Sequence, residues 1–388
     1  MNPVIVIGDG MADLPVKKLG GKTPLEIAKK PNMDYIAKRG LTGLLTLTGG
    51  VNPGSTVEAL ADLLGFDPHT ARLYRALFEA FGLEMKVKPG DLVFRCNLAK
   101  AIKGKLVASR VRLRNSGKRD FIEKSANEVL REIAGLYGVC GEVKLGTDFR
   151  CTILLRGLNL GSNILLPDPL TPSSPLAVKP LHRNSKVTAS ILNSFINTLE
   201  RELEEEEVNV IVPWCFSTYD DKFKLTFRGK LKGACVAAVE VVKGFCKCLG
   251  FKAVSVKGAT GYVDTDYIAK AKAAAKEASK LPVLLHFEAP DEASHEKSLS
   301  LKLEAIRGVD NAVGTLIDEG CETIVLMADH ATSVETGLHV RTPVPAAFTG
   351  LDLKPDNVNF FSENTTRKGC LTGRFIRDLG RIAGFATN

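Results

Sequence analysis

With 388 residues, 45% of them hydrophobic and 25% charged, the chain has the composition of a globular protein large enough for two domains. No apolar stretch reaches the roughly 18 to 20 uncharged residues of a membrane span, and the N-terminus enters an apolar run without the basic segment of a secretion signal. Aromatic residues make up 6%, with no RNA-binding or helix-turn-helix signature, which argues against a nucleic-acid partner. The formal charge of +8 suits a small anionic substrate. Nine scattered cysteines, whose only close pair is Cys246 and Cys248, read as small buried apolar side chains in a reducing cytoplasm.

The opening run PVIVIGDG is short, apolar and β-branched, which predicts a buried strand with Asp9 at its carboxyl end. TPLEIAKKPNMDYIAKRG has helical spacing and stops at the glycine after Arg39. LTGLLTLT reads as a second strand. The turn Asn52, Pro53, Gly54, Ser55, Thr56 then leads into a helix that begins Val-Glu-Ala-Leu. The free N–H groups of that helix suit an anion, and Ser55 or Thr56 stands at its start either as a cap or as a hydroxyl awaiting activation.

From there to about residue 230 the texture changes. RVRLRNSGKRDFIEKSANEVLREI is basic and partly helical, and LLPDPLTPSSPLAVKP is a Pro/Ser-rich loop. LNSFINTLERELEEEEVNVIV combines a helix, a solvated acidic run at Glu204 to Glu207, and a strand. The alternation of strands and helices then returns. GACVAAVEVVKGFCKCLG reads as a helix, KAVSV as a strand, KGATG as a turn, DYIAKAKAAAKEASK as a helix, and LPVLLHFEA as a strand leading to Asp291 and His295. After the helix SLKLEAIRGVDNAVGTLIDEG, the run ETIVLM is another buried strand, followed by Asp329 and His330 and, nine residues later, His339. Strand–helix alternation at both ends and a distinct middle predict an α/β domain interrupted by an inserted one.

Asp9, Ser55 or Thr56, Asp291, His295, Asp329, His330 and His339 all fall at or just beyond carboxyl strand ends, where open α/β sheets bind ligands. Any one of them alone reads as a cap or loop residue. Together, carboxylates and imidazoles suit Zn²⁺, Mn²⁺ or a similar borderline ion, whereas an all-oxygen set would suit Mg²⁺ or Ca²⁺. Two such ions about 4 Å apart would clamp the attacking and leaving oxygens of phosphoryl transfer and lower a hydroxyl's pKa.

The blocks GDGMADLP, TPLEIAKKPNMDYIAKRG, NPGS, GFDP, KPGDLVFRCNLA, VKGATGYVDTDYIAKAKAA, APDEASHE, ADHATS and HVRTPVP, in this order, resemble those of the cofactor-independent phosphoglycerate mutases of archaeal type, divergent members of the alkaline phosphatase superfamily. The likeness spans nearly the whole chain and is weakest between about residues 105 and 230. It implies a three-layer α/β/α phosphatase-like domain, residues 1–82 and 230–388, interrupted by a smaller α+β transferase domain at 83–229. It also implies two divalent metal ions (Mn, Zn, Co or Mg), one held by Asp9, Ser55, Asp329 and His330, the other by Asp291, His295 and His339. Ser55 would be the nucleophile, forming a phosphoserine while 3-phosphoglycerate and 2-phosphoglycerate interconvert. Arg75, Arg95, Arg150 and Arg156 would grip the substrate's phosphate and carboxylate, and the block containing Lys257 and Asp266 would lie near the site.

The chain also departs from the family pattern. GSTVEAL replaces Gly-Ser-Asp-Thr-Ala-His, and the segment up to Gly65 is one residue longer than usual. Alignment of PGS selects Ser55 as nucleophile, whereas counting back from Gly65 selects Thr56; the first is taken here. Arg75 lies in YRAL in place of Gly-Arg-Gly-Pro, Trp214 stands at an arginine's position, and Thr342 at an aspartate's. The metal-ligand pattern is intact while the substrate side has drifted, which leaves open a phosphatase or phosphotransferase acting on another small phosphate ester. Retention of every metal ligand argues against a non-catalytic relative, and the sequence carries no signal for an oligomeric state.

Overall fold

In the computed structural model, which describes residues 1–48, 54–350, 353–382 and 384, the apolar segment Val4–Gly8 forms strand β1 at the centre of a seven-stranded sheet. Of the expected turn before Ser55, Asn52 and Pro53 lie outside the described residues. The other strands are β2 (Leu41–Leu45), β3 (Ala234–Val236), β4 (Lys252–Val254), β5 (Val283–Phe287), β6 (Ile324–Ala328) and β7 (Val344–Phe348). Their order is β4-β3-β5-β1-β6-β7-β2. The run from β4 to β6 is parallel, and β7 pairs antiparallel with both β6 and β2.

Every residue of β1, β5 and β6 is buried, the mark of a sheet covered on both faces. Their register matters most for function. Gly8 lies opposite both Phe287 and Ala328, so the three strands end level and the residues that follow them emerge at one rim.

Three sequence expectations are corrected. The helix expected over GACVAAVEVVKGFCKCLG is a strand, β3, followed by a shorter helix, Glu240–Leu249. A brief, wholly buried strand shows no alternation, and periodicity cannot tell it from helix. TPLEIAKKPNMDYIAKR forms two helices, Pro24–Ile27 and Pro31–Arg39, because Pro31 cannot continue the first and opens the second. The strand after His339, β7, was not expected; Pro345 and two alanines dilute its strand signal.

The chain divides into two compact units, residues 1–72 with 229–388, and residues 73–228. The sequence boundary at 82/83 and the packing boundary at 72/73 differ by one helix, Arg75–Gly82. Phe78 and Phe81 of that helix, with Tyr74 before it, interlock with Phe223 of the second unit. Burial of such aromatic clusters outweighs sequence proximity.

The second unit is α+β. Strand Leu92–Ile102 lies between Val210–Thr218 and Arg150–Arg156, with Cys140–Leu145 and Lys105–Ala108 completing a five-stranded antiparallel sheet. Helices Ser116–Gly135 and Lys186–Glu202 contribute Leu130, Ile133, Leu192 and Phe195 to its core.

In the first unit, helix Ile376–Ile382 packs on helix Thr56–Leu63, and a Cβ at Gly380 would come within 1.8 Å of the Leu63 carbonyl oxygen. Gly380→Ala should therefore cost about 1–3 kcal/mol through overpacking. Thermal melting should show a midpoint several degrees lower; an unchanged midpoint would contradict this contact.

Candidate active site

The level strand ends bring separate loops together. Asp9 follows β1 directly, is 1% exposed, and sends Oδ1 to 2.9 Å from His330 Nε2. Asp329 follows β6, and its Oδ1 accepts from the backbone N–H groups of Gly10 (3.0 Å) and His330 (2.8 Å), which fixes the carboxylate. Its Oδ2 lies 3.7 Å from His330 Nε2 and makes no hydrogen bond. Gly10 has φ of 57°, and a Cβ there would meet Asp291 Oδ1 at 2.5 Å, so both conformation and space require glycine.

Asp291 and His295 share one face of helix Ala289–His295, with His295 Nε2 at 3.1 Å from Asp291 Oδ2. The spacing between His330 and His339 resolves into a hairpin. Two-residue strands, Ala331–Thr332 and His339–Val340, pair antiparallel with Thr332 opposite His339. His339 thereby stacks on His330 at 4.0 Å between ring centres and brings Nε2 to 3.5 Å from Asp291 Oδ1. The Nδ1 atoms of His295 and His339 lie against the carbonyls of Gly337 (2.8 Å) and Gly54 (2.7 Å). A carbonyl only accepts, so Nδ1 carries the proton and Nε2 turns its lone pair to the cluster. Thr332 Oγ1 donates to Asp291 Oδ1 at 2.6 Å.

The hydroxyl beside this cluster belongs to Thr56, whose Oγ1 is 3.2 and 3.3 Å from the Asp9 carboxylate oxygens. Ser55, expected as ligand and nucleophile, instead donates its Oγ to Glu58 Oε2 at 2.8 Å. Its extended backbone, φ −160° and ψ 155°, makes it the residue preceding the helix, and Thr56 is the first helical one. Counting back from Gly65 selected this threonine.

Burial and Asp291 push the Asp9 carboxyl up, but His286 and His330 outweigh them and hold it far below its usual range. Burial likewise raises Asp291, and the opposing attraction of His295, His339 and His330 keeps it low. Burial and the charge of Asp9 hold Asp329 well above the usual carboxylate value. Burial draws His330 down, while Asp329, Asp9 and Asp291 together lift it to about 10.

Three buried carboxylates with imidazole lone pairs are a donor set for divalent cations. Asp9, Asp329 and His330 form one group of mutually close ligand atoms, and Asp291, His330 and His339 another. Ligand atoms each about 2.1 Å from one ion stand roughly 3.0 to 3.5 Å apart. The separations of 2.9 and 3.1 Å are close to that spacing. His330 Nε2 and Asp329 Oδ2 are buried without hydrogen bonds, which also fits a cation between them.

Sequence reasoning missed Lys302. Fully buried, its Nζ donates to Ala12 O (3.2 Å), Asp13 Oδ2 (2.8 Å) and Thr332 O (2.7 Å), tying the loop after β1 to the loop after β6. Its place on the apolar face of helix Leu299–Asp318, with Ala305 and Ile306 three and four residues on, was the available signal. Asp266, expected near the site, caps helix Tyr267–Ala278 by accepting from Ala269 N at 2.8 Å, and Lys257 is exposed.

In the second unit, Arg95 is buried with Nε 2.6 Å from Glu79 Oε1 and its guanidinium 4.6 Å from the Trp214 ring centre. Burial first, then the charges of Arg75 and Arg150, draw it down to about 9 against the pull of Glu79. Arg150 stacks on Phe149 at 4.8 Å, and Arg110 and Arg112, neither of them expected, lie over the same ring at 5.3 and 5.9 Å. The alternation in RVRLR was their only signal. Arg156 pairs with Asp91, which accepts from its Nε at 2.8 Å and from its Nη2 at 2.6 Å in a bidentate arrangement.

A family model described as the metalloenzyme superfamily matches residues 1–377. The 2,3-bisphosphoglycerate-independent phosphoglycerate mutase 1 of Methanothermobacter thermautotrophicus is 35% identical, over 96% of this chain and 94% of that protein. The 2,3-bisphosphoglycerate-independent phosphoglycerate mutase of Metallosphaera sedula is 36% identical over 97% and 95%. Among solved structures, the PH0037 protein of Pyrococcus horikoshii matches with a TM-score of 0.77 at 25% identity, over 100% of this chain and 98% of that one. The cofactor-independent phosphoglycerate mutase of Thermoplasma acidophilum matches with 0.61 at 23%, over 99% and 98%, and supports the fold alone. With carboxylates and imidazoles gathered at the strand ends and relatives of this extent, the chain belongs to the metalloenzyme superfamily and, within it, to the 2,3-bisphosphoglycerate-independent phosphoglycerate mutases.

Proposed function

We propose that the protein interconverts 3-phosphoglycerate and 2-phosphoglycerate by passing the phosphoryl group through Thr56. Two divalent cations would be held by Asp9, Thr56, Asp329 and His330, and by Asp291, His295 and His339. The observation that carries this reading is the Thr56 hydroxyl, 3.2 Å from Asp9 at the head of a helix and beside the carboxylate–imidazole cluster. When bound, the cations supply Lewis-acid charge that lowers the hydroxyl's pKa and offsets charge on the transferring group.

The chain's own atoms do the rest. Thr56 Oγ bonds to phosphorus as the bond from phosphorus to the glycerate oxygen breaks, and the hydroxyl proton passes to that departing oxygen. The free N–H groups at the start of helix Thr56–Leu63 suit the phosphoryl oxygens. The other glycerate hydroxyl then attacks the phosphothreonine and returns its proton to Thr56, so no water is consumed. Arg75, Arg95 and Arg150 of the second unit are read as the grip on the substrate's phosphate and carboxylate, with Trp214 holding the Arg95 plane. A small phosphate-ester substrate and nine free cysteines suit a cytoplasmic protein.

Incubation of Mn²⁺-loaded protein with 3-phosphoglycerate should yield 2-phosphoglycerate without inorganic phosphate. Release of phosphate with no isomer would reassign the chain as a phosphatase. Thr56→Ala should reduce turnover by about 10³-fold or more, as expected for loss of a nucleophile, and Ser55→Ala by less than about tenfold. The opposite ranking would return the role to Ser55. Arg95→Met should raise KM by roughly 30- to 100-fold, the worth of a charged hydrogen bond, with bound metal unchanged; an unaltered KM would remove Arg95 from the substrate site.

A further inference from the structure

We propose that Lys302 is a positioning residue for one cation of the pair: acting through the hairpin of residues 331–340, it holds Asp291, His295 and His339 in place and leaves the other ligand set to the sheet. The inference rests on the paired reading above. All three members of the set lean on the hairpin. His339 belongs to it, opposite Thr332. Thr332 Oγ1 donates to Asp291 Oδ1 at 2.6 Å, and the Gly337 carbonyl lies 2.8 Å from His295 Nδ1. Inside the hairpin, Ser333 N–H donates to the Leu338 carbonyl at 2.9 Å and Gly337 N–H to that of Ser333 at 2.7 Å. A displacement of the first strand therefore carries Gly337 and His339 with it.

A pair of buried charges anchors this hairpin, whose two short strands form a sheet of their own. Lys302 Nζ has three N–H groups and three acceptors: Thr332 O in the hairpin, and Ala12 O and Asp13 Oδ2 in the loop after β1. Asp13 Oδ2 also accepts from Val334 N–H at 3.0 Å, and Thr332 N–H donates to Ala12 O at 3.0 Å. Asp13 is tied down in turn. Its N–H donates to Glu363 Oε1 at 2.9 Å, while Thr23 Oγ1 donates to Glu363 Oε2 at 2.6 Å. The Lys302 ammonium also interacts electrostatically with Asp291.

Asp9 and Asp329 have a different support. Each directly follows its strand, Gly8 of β1 lies opposite Ala328 of β6, and the Gly10 and His330 N–H groups fix Asp329 Oδ1. Removing the ammonium leaves that geometry to the sheet. It also strips the hairpin of its anchor and leaves Asp13 buried without a counter-charge. Partners that orient metal ligands from outside commonly set affinity by about 10- to 100-fold, so the effect should fall on one ion and spare the other.

The test titrates Mn²⁺ into metal-free wild type and Lys302→Met, which keeps the apolar stem and removes the charge. Unbound ion is read by its electron paramagnetic resonance signal, and folding by circular dichroism. Wild type should bind two equivalents. Lys302→Met should bind one as wild type does and the other about 10- to 100-fold more weakly. Adding His295→Asn to Lys302→Met should spare the tight equivalent, and adding Asp329→Asn should abolish it; the reverse assignment would overturn the inference. Two equivalents of unchanged affinity in Lys302→Met, or equal weakening of both, would overturn it as well and leave the pair intact. A wild type holding fewer than two would overturn the pair and this inference together. Should Lys302→Met fail to fold, its combination with Asp13→Asn, which removes the carboxylate left without a counter-charge, is titrated in its place with the same expected result.

Discussion

Repulsion of Asp9 by Asp291 and of Asp329 by Asp9, in a buried setting, is the constraint around which the first unit is organised. Each is buried, and each comes from the segment following a different strand, so their charges meet only in the folded state. Burying unpaired carboxylates costs several kcal/mol apiece. The fold answers with imidazoles at short range and with Lys302, whose ammonium lies among the backbone carbonyls of the two converging loops. A positively charged strut under a cluster of negative charge lets the loops approach before any cation arrives, and the cluster then has the pre-formed character that metal binding rewards.

The second unit poses the opposite problem. Arg75 and Arg150 act on Arg95 as like charges, Glu79 opposes them at 2.6 Å from Arg95, and Asp148 lies 3.6 Å from Arg150. Flat aromatic faces at Trp214 and Phe149 lie against the Arg95 and Arg150 guanidiniums as well. One unit thus gathers guanidiniums and the other gathers carboxylates and imidazoles at its strand ends.

Strand–helix alternation gave the α/β class directly, because apolar runs such as VIVIG and IVLMA have no other economical reading. What periodicity could not resolve was β3, three buried residues preceding a helix, and β7, blurred by Pro345. For the site, residues that share a strand end were readable as such, since Asp9, Asp291 and Asp329 each follow an apolar run. Choices that depend on one residue of phase were not. Ser55 and Thr56 are both hydroxyls at a helix start, and only the backbone turn at Ser55 separates them. Lys302 and His286 were invisible for a different reason: a lone polar side chain on an apolar face has meaning only once its partners from distant sequence are in place. The pairing of Arg156 with Asp91 was not legible either, because the charge is visible in sequence and the partner is not.

The start of the helix at Thr56 has a stereochemical result. With Ser55 left outside the helix, a secondary alcohol and not a primary one faces Asp9. The threonine methyl group narrows rotation about Cα–Cβ, so the Thr56 oxygen lies towards Asp9 with little freedom to lose. Were Thr56 the phosphoryl acceptor proposed above, that same methyl would crowd one flank of its ester and leave incoming oxygens a narrower approach than a serine ester would.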